Sequence, residues 1–238
     1  MLDDIAPLDT VPASAPAVES SRRSGLEAAF LHDLLNTAVA VQGLTGILTE
    51  AESWELPRIT KAVRGMADQL VNQITMLRDL VAAEDGDLPL QLRFLAAAEA
   101  LHAAATRYER HPIARNCRIV VTEDDAGHLT TDPLILGRVL DNLVKNALEA
   151  APAAGTVTLG AAREGDCIRL RVHNPGVIPE EVQPRIFERA FSTRGRGRGM
   201  GTYSVKMLTE RYLGGRAAFT SDAARGTTFT VTLPVGGP

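Results

Sequence analysis

The chain has 238 residues, 45% of them hydrophobic and 23% charged, and its 25 basic and 29 acidic side chains leave a net charge of -4. That is globular composition, enough for one large domain or two modest ones, and the charge balance excludes a general nucleic-acid surface. No apolar run approaches the ~18 residues that a membrane span needs, and no charged-then-apolar leader opens the chain, so the expectation is a cytoplasmic protein.

Residues 1–22 are rich in Pro, Ala, Ser and Asp and lack periodicity, which predicts a flexible tail. From Leu26, apolar residues recur every three or four positions: Leu26, Phe30, Leu34, Ala38, Val41, Leu44 and Leu48. This is the spacing of a buried helical stripe. Glu50 to Pro57 breaks it, and Pro57 suits the first turn of a new helix. A second stripe runs through Ile59, Val63, Met66, Leu70, Ile74, Leu77 and Leu80 before a polar linker ending near Pro89. The prediction is a helical hairpin over 23–86, with arms of roughly 25 residues each. Two such helices cannot enclose their own stripes, so a homodimer forming a four-helix bundle is the economical arrangement.

Residues 87–238 have a different texture. The expected elements are a strand over 90–94, a helix from Ala96 to about Tyr108, and strands in 117–123 and 128–132. Asp132 and Pro133 open a strong helix through Ala151. An antiparallel pair (156–162 and 167–174) follows, then helices around Pro179–Arg189 and Thr202–Tyr212, and two closing strands. Helices on one face of a mixed, mostly antiparallel sheet make an α/β sandwich, so the whole chain is α+β. Cys117 and Cys167 lack metal-ligand spacing and are expected as buried thiols. His102, His111 and His128 have no acid or ligand partner at suggestive spacing and are expected to be surface or satisfied imidazoles.

Four groups of residues carry chemistry. On the first helix His32 is followed at once by Asp33, with Asn36 one turn further on. Asn142 and Asn146 stand at i and i+4 on an apolar helix and share a face, and amide oxygens are suitable hard ligands for Mg²⁺. Gly197, Gly199 and Gly201 lead straight into the helix starting at Thr202. Glycines allow close backbone approach to a phosphate, and a helix N-terminus offers free N–H groups. The fourth is the turn Asn174 to Pro179, with Gly176 permitting a tight approach, after a strand whose Leu170, Val172 and Asn174 share one face by period two.

In this order and combination the motifs resemble those of the sensor histidine kinases of two-component signalling, over about residues 25–235. HDLLN looks like the family's H box, DNLVKNALEA its N box, NPGVIP its first glycine box, IFERAFST its phenylalanine box and GRGMG its second glycine box. The resemblance implies a dimerisation and phosphotransfer hairpin followed by a Bergerat-type ATP-binding domain. It implies His32 as phosphoacceptor, Asp33 as the carboxylate that holds its tautomer, and Asn36 as a residue orienting water for phosphatase action. Asn146 matches the Mg²⁺ ligand and Asn142 a phosphate contact. Asn174, Gly176 and Ile178 of the first glycine box, Gly197, Gly199, Gly201 and Thr202 of the second, and Thr227 of the closing strand match the nucleotide pocket. Phe187 and Phe191 match anchors for the start of a lid, within which the basic run Arg194 to Arg198 falls.

The implied activity is ATP-dependent autophosphorylation of His32 and transfer to an aspartate of a response-regulator receiver domain, with input from a separate sensor protein. The pattern departs from the family at three places. Thr37 replaces a common proline, Glu149 a frequent basic residue, and Asn174 the usual adenine-binding Asp. The last keeps open an alternative, a histidine phosphotransfer protein with a degenerate kinase-like domain that no longer uses ATP.

Overall fold

The computed structural model describes residues 31, 34–48, 51–85, 88–109, 111–122, 126–188 and 200–238. The chain divides into two compact units, Met1–Val71 and Asn72–Pro238.

In the first unit, helix α1 (34–48) is joined by a short turn to helix α2 (Leu56–Asp85), which at 30 residues outruns the expected arm and continues into the second unit. Pro57 sits in the first turn of α2, where its missing N–H costs no helical bond. The turn is tied by Glu55 N to Glu52 O at 2.8 Å and by Trp54 Nε1 to Glu52 Oε2 at 2.7 Å. Leu34, Ala38, Val41, Leu44 and Leu48 of the first stripe, and Ile59, Val63, Met66, Leu70 and Leu77 of the second, are half-buried. Ile74 departs from its stripe and is 52% exposed. Leu31, Leu35, Val39 and Ile47 are also exposed, on the side of α1 away from its stripe.

The second unit is built on a five-stranded sheet of order β2-β4-β5-β7-β6. The strands are β2 (Arg118–Val121), β4 (Thr156–Glu164), β5 (Cys167–Asn174), β6 (Arg216–Asp222) and β7 (Gly226–Pro234). Only β2 and β4 run parallel; the other neighbours are antiparallel. Two further strands, β1 (Arg93–Ala96) and β3 (His128–Thr131), form a separate antiparallel pair. β1 thus lies slightly later than its apolar alternation indicates, because its register is set by pairing with β3.

Strand β5 alternates half-buried and buried along its whole length, so one face of the sheet is closed. Helices α3 (Ala97–Glu109), α4 (Pro133–Ala150) and α5 (Gly201–Arg211) supply apolar side chains to the core. α4 contributes most, with eight buried residues from Ile135 to Leu148. Its start is set by Asp132, whose Oδ1 accepts from Leu134 N at 2.9 Å and Ile135 N at 3.0 Å, with Pro133 directly behind it. The other oxygen of Asp132 accepts from Gln91 N at 2.7 Å and so clips the entry to β1 onto the same helix end.

Three expectations are corrected. The helix around Pro179–Arg189 is a 3-10 turn, Glu180–Arg185, because Pro184 lies inside it and cannot donate to an α-helical ladder. Both cysteines are half-buried rather than buried, Cys117 just before β2 and Cys167 at the first residue of β5; Cys117 Sγ lies 3.9 Å from Pro152 O. The small β1–β3 sheet was not expected as a separate layer. His102, His111 and His128 are surface or satisfied groups: His128 stacks on Phe94 with centroids 4.9 Å apart, His111 Nδ1 caps the 3-10 turn Pro112–Ala114, and His102 is exposed.

Candidate functional site

Two amides stand on one face of α4. Asn142 and Asn146 are a turn apart and half-buried, beside a stripe that includes Val139, Leu143 and Ala147. The stripe fixes the rotation of the helix, so the amides border the core. The first residue of α5 approaches them. A Cβ on Gly201 would lie 3.5 Å from Asn146 Nδ2, 3.7 Å from Asn146 Oδ1 and 3.9 Å from Asn142 Oδ1. The N-cap of α5, Met200, makes no side-chain cap bond to the first turn of the helix. The N–H groups at the positive end of a helix and two amides thus share one corner, a setting whose chemistry suits an anion beside hard oxygen ligands. Thr202 donates its hydroxyl to Ile186 O, tying the start of α5 to the 3-10 turn.

The second part lies where β5 ends. Asn174 is 2% exposed and pairs in register with Thr227 on β7. Its Nδ2 donates to Gly176 O at 3.3 Å, and Thr227 Oγ1 donates to the same carbonyl at 2.7 Å. Ser221 Oγ lies 2.8 Å from Thr227 Oγ1 and accepts from Ile178 N at 2.8 Å. Gln183 Nε2 donates to Ile178 O and Ser221 O, at 2.9 and 3.2 Å. Position 176 admits no side chain: a Cβ there would lie 2.3 Å from Ala150 O, at the C-terminal end of α4. Gly226 takes φ +75°, and a Cβ on it would lie 2.4 Å from Asn174 O. Both glycines serve the same end, packing the Asn174 turn tightly against its neighbours. His173 faces the other way, with Nε2 2.8 Å from Arg225 O.

A third part is aromatic. The Phe187 ring meets Phe219 and Phe229 edge-on, with centroids 5.7 and 6.2 Å apart, and Lys206 Nζ lies 5.6 Å from its centroid. This cluster seats the end of the 3-10 segment on β6 and β7.

Behind α4, Arg107 Nε lies 2.8 Å from Asp141 Oδ1, and Tyr108 donates its hydroxyl to Asp141 O at 3.2 Å. Burial raises the Asp141 pKa above the usual carboxylate value, against the opposing pull of Arg107. Burial first, and then the Asp141 charge, push the Tyr108 phenol well above its ordinary value, so it remains a donor. These groups brace α4 next to Asn142.

Of the expected site residues, Asn142, Asn146, Gly201 and Thr202 come together at the start of α5, and Asn174, Gly176, Ile178 and Thr227 at the end of β5. Asn36 is exposed on α1. His32, Asp33, Phe191, Gly197, Gly199 and the basic run Arg194 to Arg198 lie outside the described residues. Ser221 and Gln183 were not anticipated. Their only sequence signal is a polar residue where a strand ends and an amide ahead of a proline, and neither indicates a partner about 40 residues away.

Residues 131–237 match the family of histidine kinase-, DNA gyrase B- and HSP90-like ATPases. The chain is 34% identical over 175 residues to the sensor protein DivL of Caulobacter vibrioides, covering 73% of this chain and 23% of DivL. It is 26% identical over 230 residues to the sensor histidine kinase CusS of Escherichia coli K12, covering 90% of this chain and 46% of CusS. Over these stretches the chain is similar to sensor proteins and sensor histidine kinases. It spans less than half the length of these two curated relatives. The fold agrees. The histidine kinase ThkA, solved in complex with the response regulator TrrA, superposes with TM-score 0.69 at 19% identity, over 92% of this chain and 64% of that one. The Acinetobacter baumannii histidine kinase AdeS gives 0.66 at 16% identity, over 86% and 98%. The expected Bergerat-type architecture is therefore present in the second unit. Among the described residues, no helix is long and apolar enough to cross a membrane.

Proposed function

We propose that this protein is an ATP-dependent protein-histidine kinase, built as a dimerising phosphotransfer hairpin (23–86) and an ATP-binding domain (87–238). The observation that carries it is the convergence of Asn142, Asn146 and the start of α5 at Gly201. A triphosphate needs N–H donors and a metal to spread its charge, and this corner offers both kinds of group. Asn146 would hold Mg²⁺ through its amide oxygen and Asn142 would contact phosphate; the metal's part is to neutralise charge on the phosphate oxygens. The tight turn around Gly176 supports a base pocket formed by Asn174, Ile178 and Thr227.

In the reaction, Nε2 of a neutral His32 attacks the γ-phosphorus while the bond to the β,γ-bridging oxygen breaks and ADP departs. Asp33 holds the Nδ1–H tautomer and balances the charge that grows on the ring. The phosphoryl group then passes to an aspartate of a receiver domain, and Asn36, exposed on α1, orients water for the reverse task. The exposed apolar residues of both hairpin helices support a homodimer. ThkA, a structural neighbour, was solved with a response regulator, and a receiver domain is the partner proposed here. The setting is cytoplasmic.

The second reading, a phosphotransfer protein that has lost ATP, is favoured by the amide at position 174. It predicts no nucleotide binding. With γ-labelled ATP and Mg²⁺, the wild type acquires an acid-labile label and His32→Gln does not; label persisting in that variant excludes His32 as the acceptor.

A further inference from the structure

The second unit has another concave place, away from the corner at Gly201. Strand β1 runs straight into α3, and both border the start of α4, leaving a cavity of about 300 Å³ between the three elements. Small residues keep it open: α3 brings Ala100 and Ala103 to the lining, and α4 brings Gly137. A Cβ on Gly137 would meet only the end of Arg107, 3.7 Å away, so the glycine leaves room rather than easing a backbone contact. The volume is at the small end of ligand sites and suits a molecule of one ring. Phe94 forms one wall. Its ring stacks on His128, with centroids 4.9 Å apart and planes 8° from parallel, yet Phe94 is 71% exposed. A ring covered on one side offers its second face to another ring. Arg93 and Glu99 bring opposite charges to the same lining, and neither has an ion-pair partner among the described residues. Arg107, the third charged side chain there, is already held by Asp141.

We propose that this cavity is a second ligand site, for a small zwitterion with an aromatic ring, the chemistry of an aromatic α-amino acid. The ligand's ring lies on Phe94, its carboxylate meets Arg93 and its ammonium meets Glu99. Arg93 and Glu99 do not close on each other, so a head group carrying both charges is the one that answers both. Gly137 and Asn146 are about two and a half turns apart, which puts them on opposite sides of α4. The cavity is therefore separate from the proposed nucleotide site, and its occupancy needs no nucleotide.

The test is calorimetric titration of the full chain with L-phenylalanine as the probe. It is set against 3-phenylpropionate, which lacks the ammonium, and phenethylamine, which lacks the carboxylate. One saturable site is expected for L-phenylalanine, with each singly charged analogue weaker by about tenfold or more, the worth of one charge-assisted hydrogen bond. Phe94→Ala removes the ring's platform and should weaken binding about fivefold. Ala103→Leu fills the cavity from an exposed helix position and should abolish binding. Both substituted positions are exposed, so both variants should melt at the wild-type temperature, which separates loss of the site from loss of the fold. No saturable binding at millimolar probe, wild-type affinity in Ala103→Leu, or analogues that bind as tightly as L-phenylalanine would each overturn the proposal. Should one variant not fold, the other and the two analogues decide.

Discussion

The two units differ in what they bury. Among the described residues, none before Ala97 is buried, whereas the second unit holds a contiguous core running from Ala97 to Leu233. The hairpin stripes are half-covered at best, and Leu35, Val39, Val71 and Ile74 are each more than half exposed. Sheet and helices in the second unit close on one another, but a helical pair has too little surface to do so. The lesson is that one unit carries its own stability while the other needs a second apolar surface, which a copy of the chain supplies in the proposed dimer.

The comparison sharpens under mutation. Leu140→Ala opens a cavity at a side chain with no exposure and should cost about 2–5 kcal/mol, read as a loss of cooperative unfolding signal from the second unit. Val39→Asp with Ile74→Asp places charges on the hairpin's exposed apolar residues. It should raise the dimer dissociation constant roughly tenfold or more in sedimentation, with Mg-ATP binding unchanged. If those charges left the dimer intact, the contrast between a self-sufficient unit and a dependent one would break.

The smallest effect concerns the brace behind α4. Tyr108→Phe loses the bond to Asp141 O and should cost about 1 kcal/mol. The raised Asp141 pKa means that the folded state binds more protons than the unfolded one between the ordinary carboxylate value and the shifted value. Stability from this group is fully present below that window and falls as pH rises through it. Asp141→Asn should flatten that fall in melting temperatures taken across mildly acidic pH.

Much of this molecule is written locally. The period of the hairpin stripes marks the residues that are half-buried, and Ile74 escapes because periodicity names a face without saying how much is covered. Asp132–Pro133 announces α4 correctly, since cap and first-turn chemistry are local. Strand parity puts Asn174, not His173, on the buried face, where it is found. Pairing is another matter. The separation of β1 and β3 from the main sheet depends on contacts between segments distant in sequence, which alternation does not encode. Ser221 and Gln183 stay invisible for the same reason: the bonds of Ser221 to Ile178 and to Gln183 span 43 and 38 residues, and only the folded register makes them one network.

Asp132 works as a shared bolt. One carboxylate oxygen starts the helix that bears both asparagines, and the other holds a backbone N–H 41 positions earlier, on the stretch arriving from α2. Rotating that side chain away would fray the helix start and unlatch the incoming strand in one event. Tension applied to the stretch just before β1 would therefore reach the start of the helix that bears both asparagines.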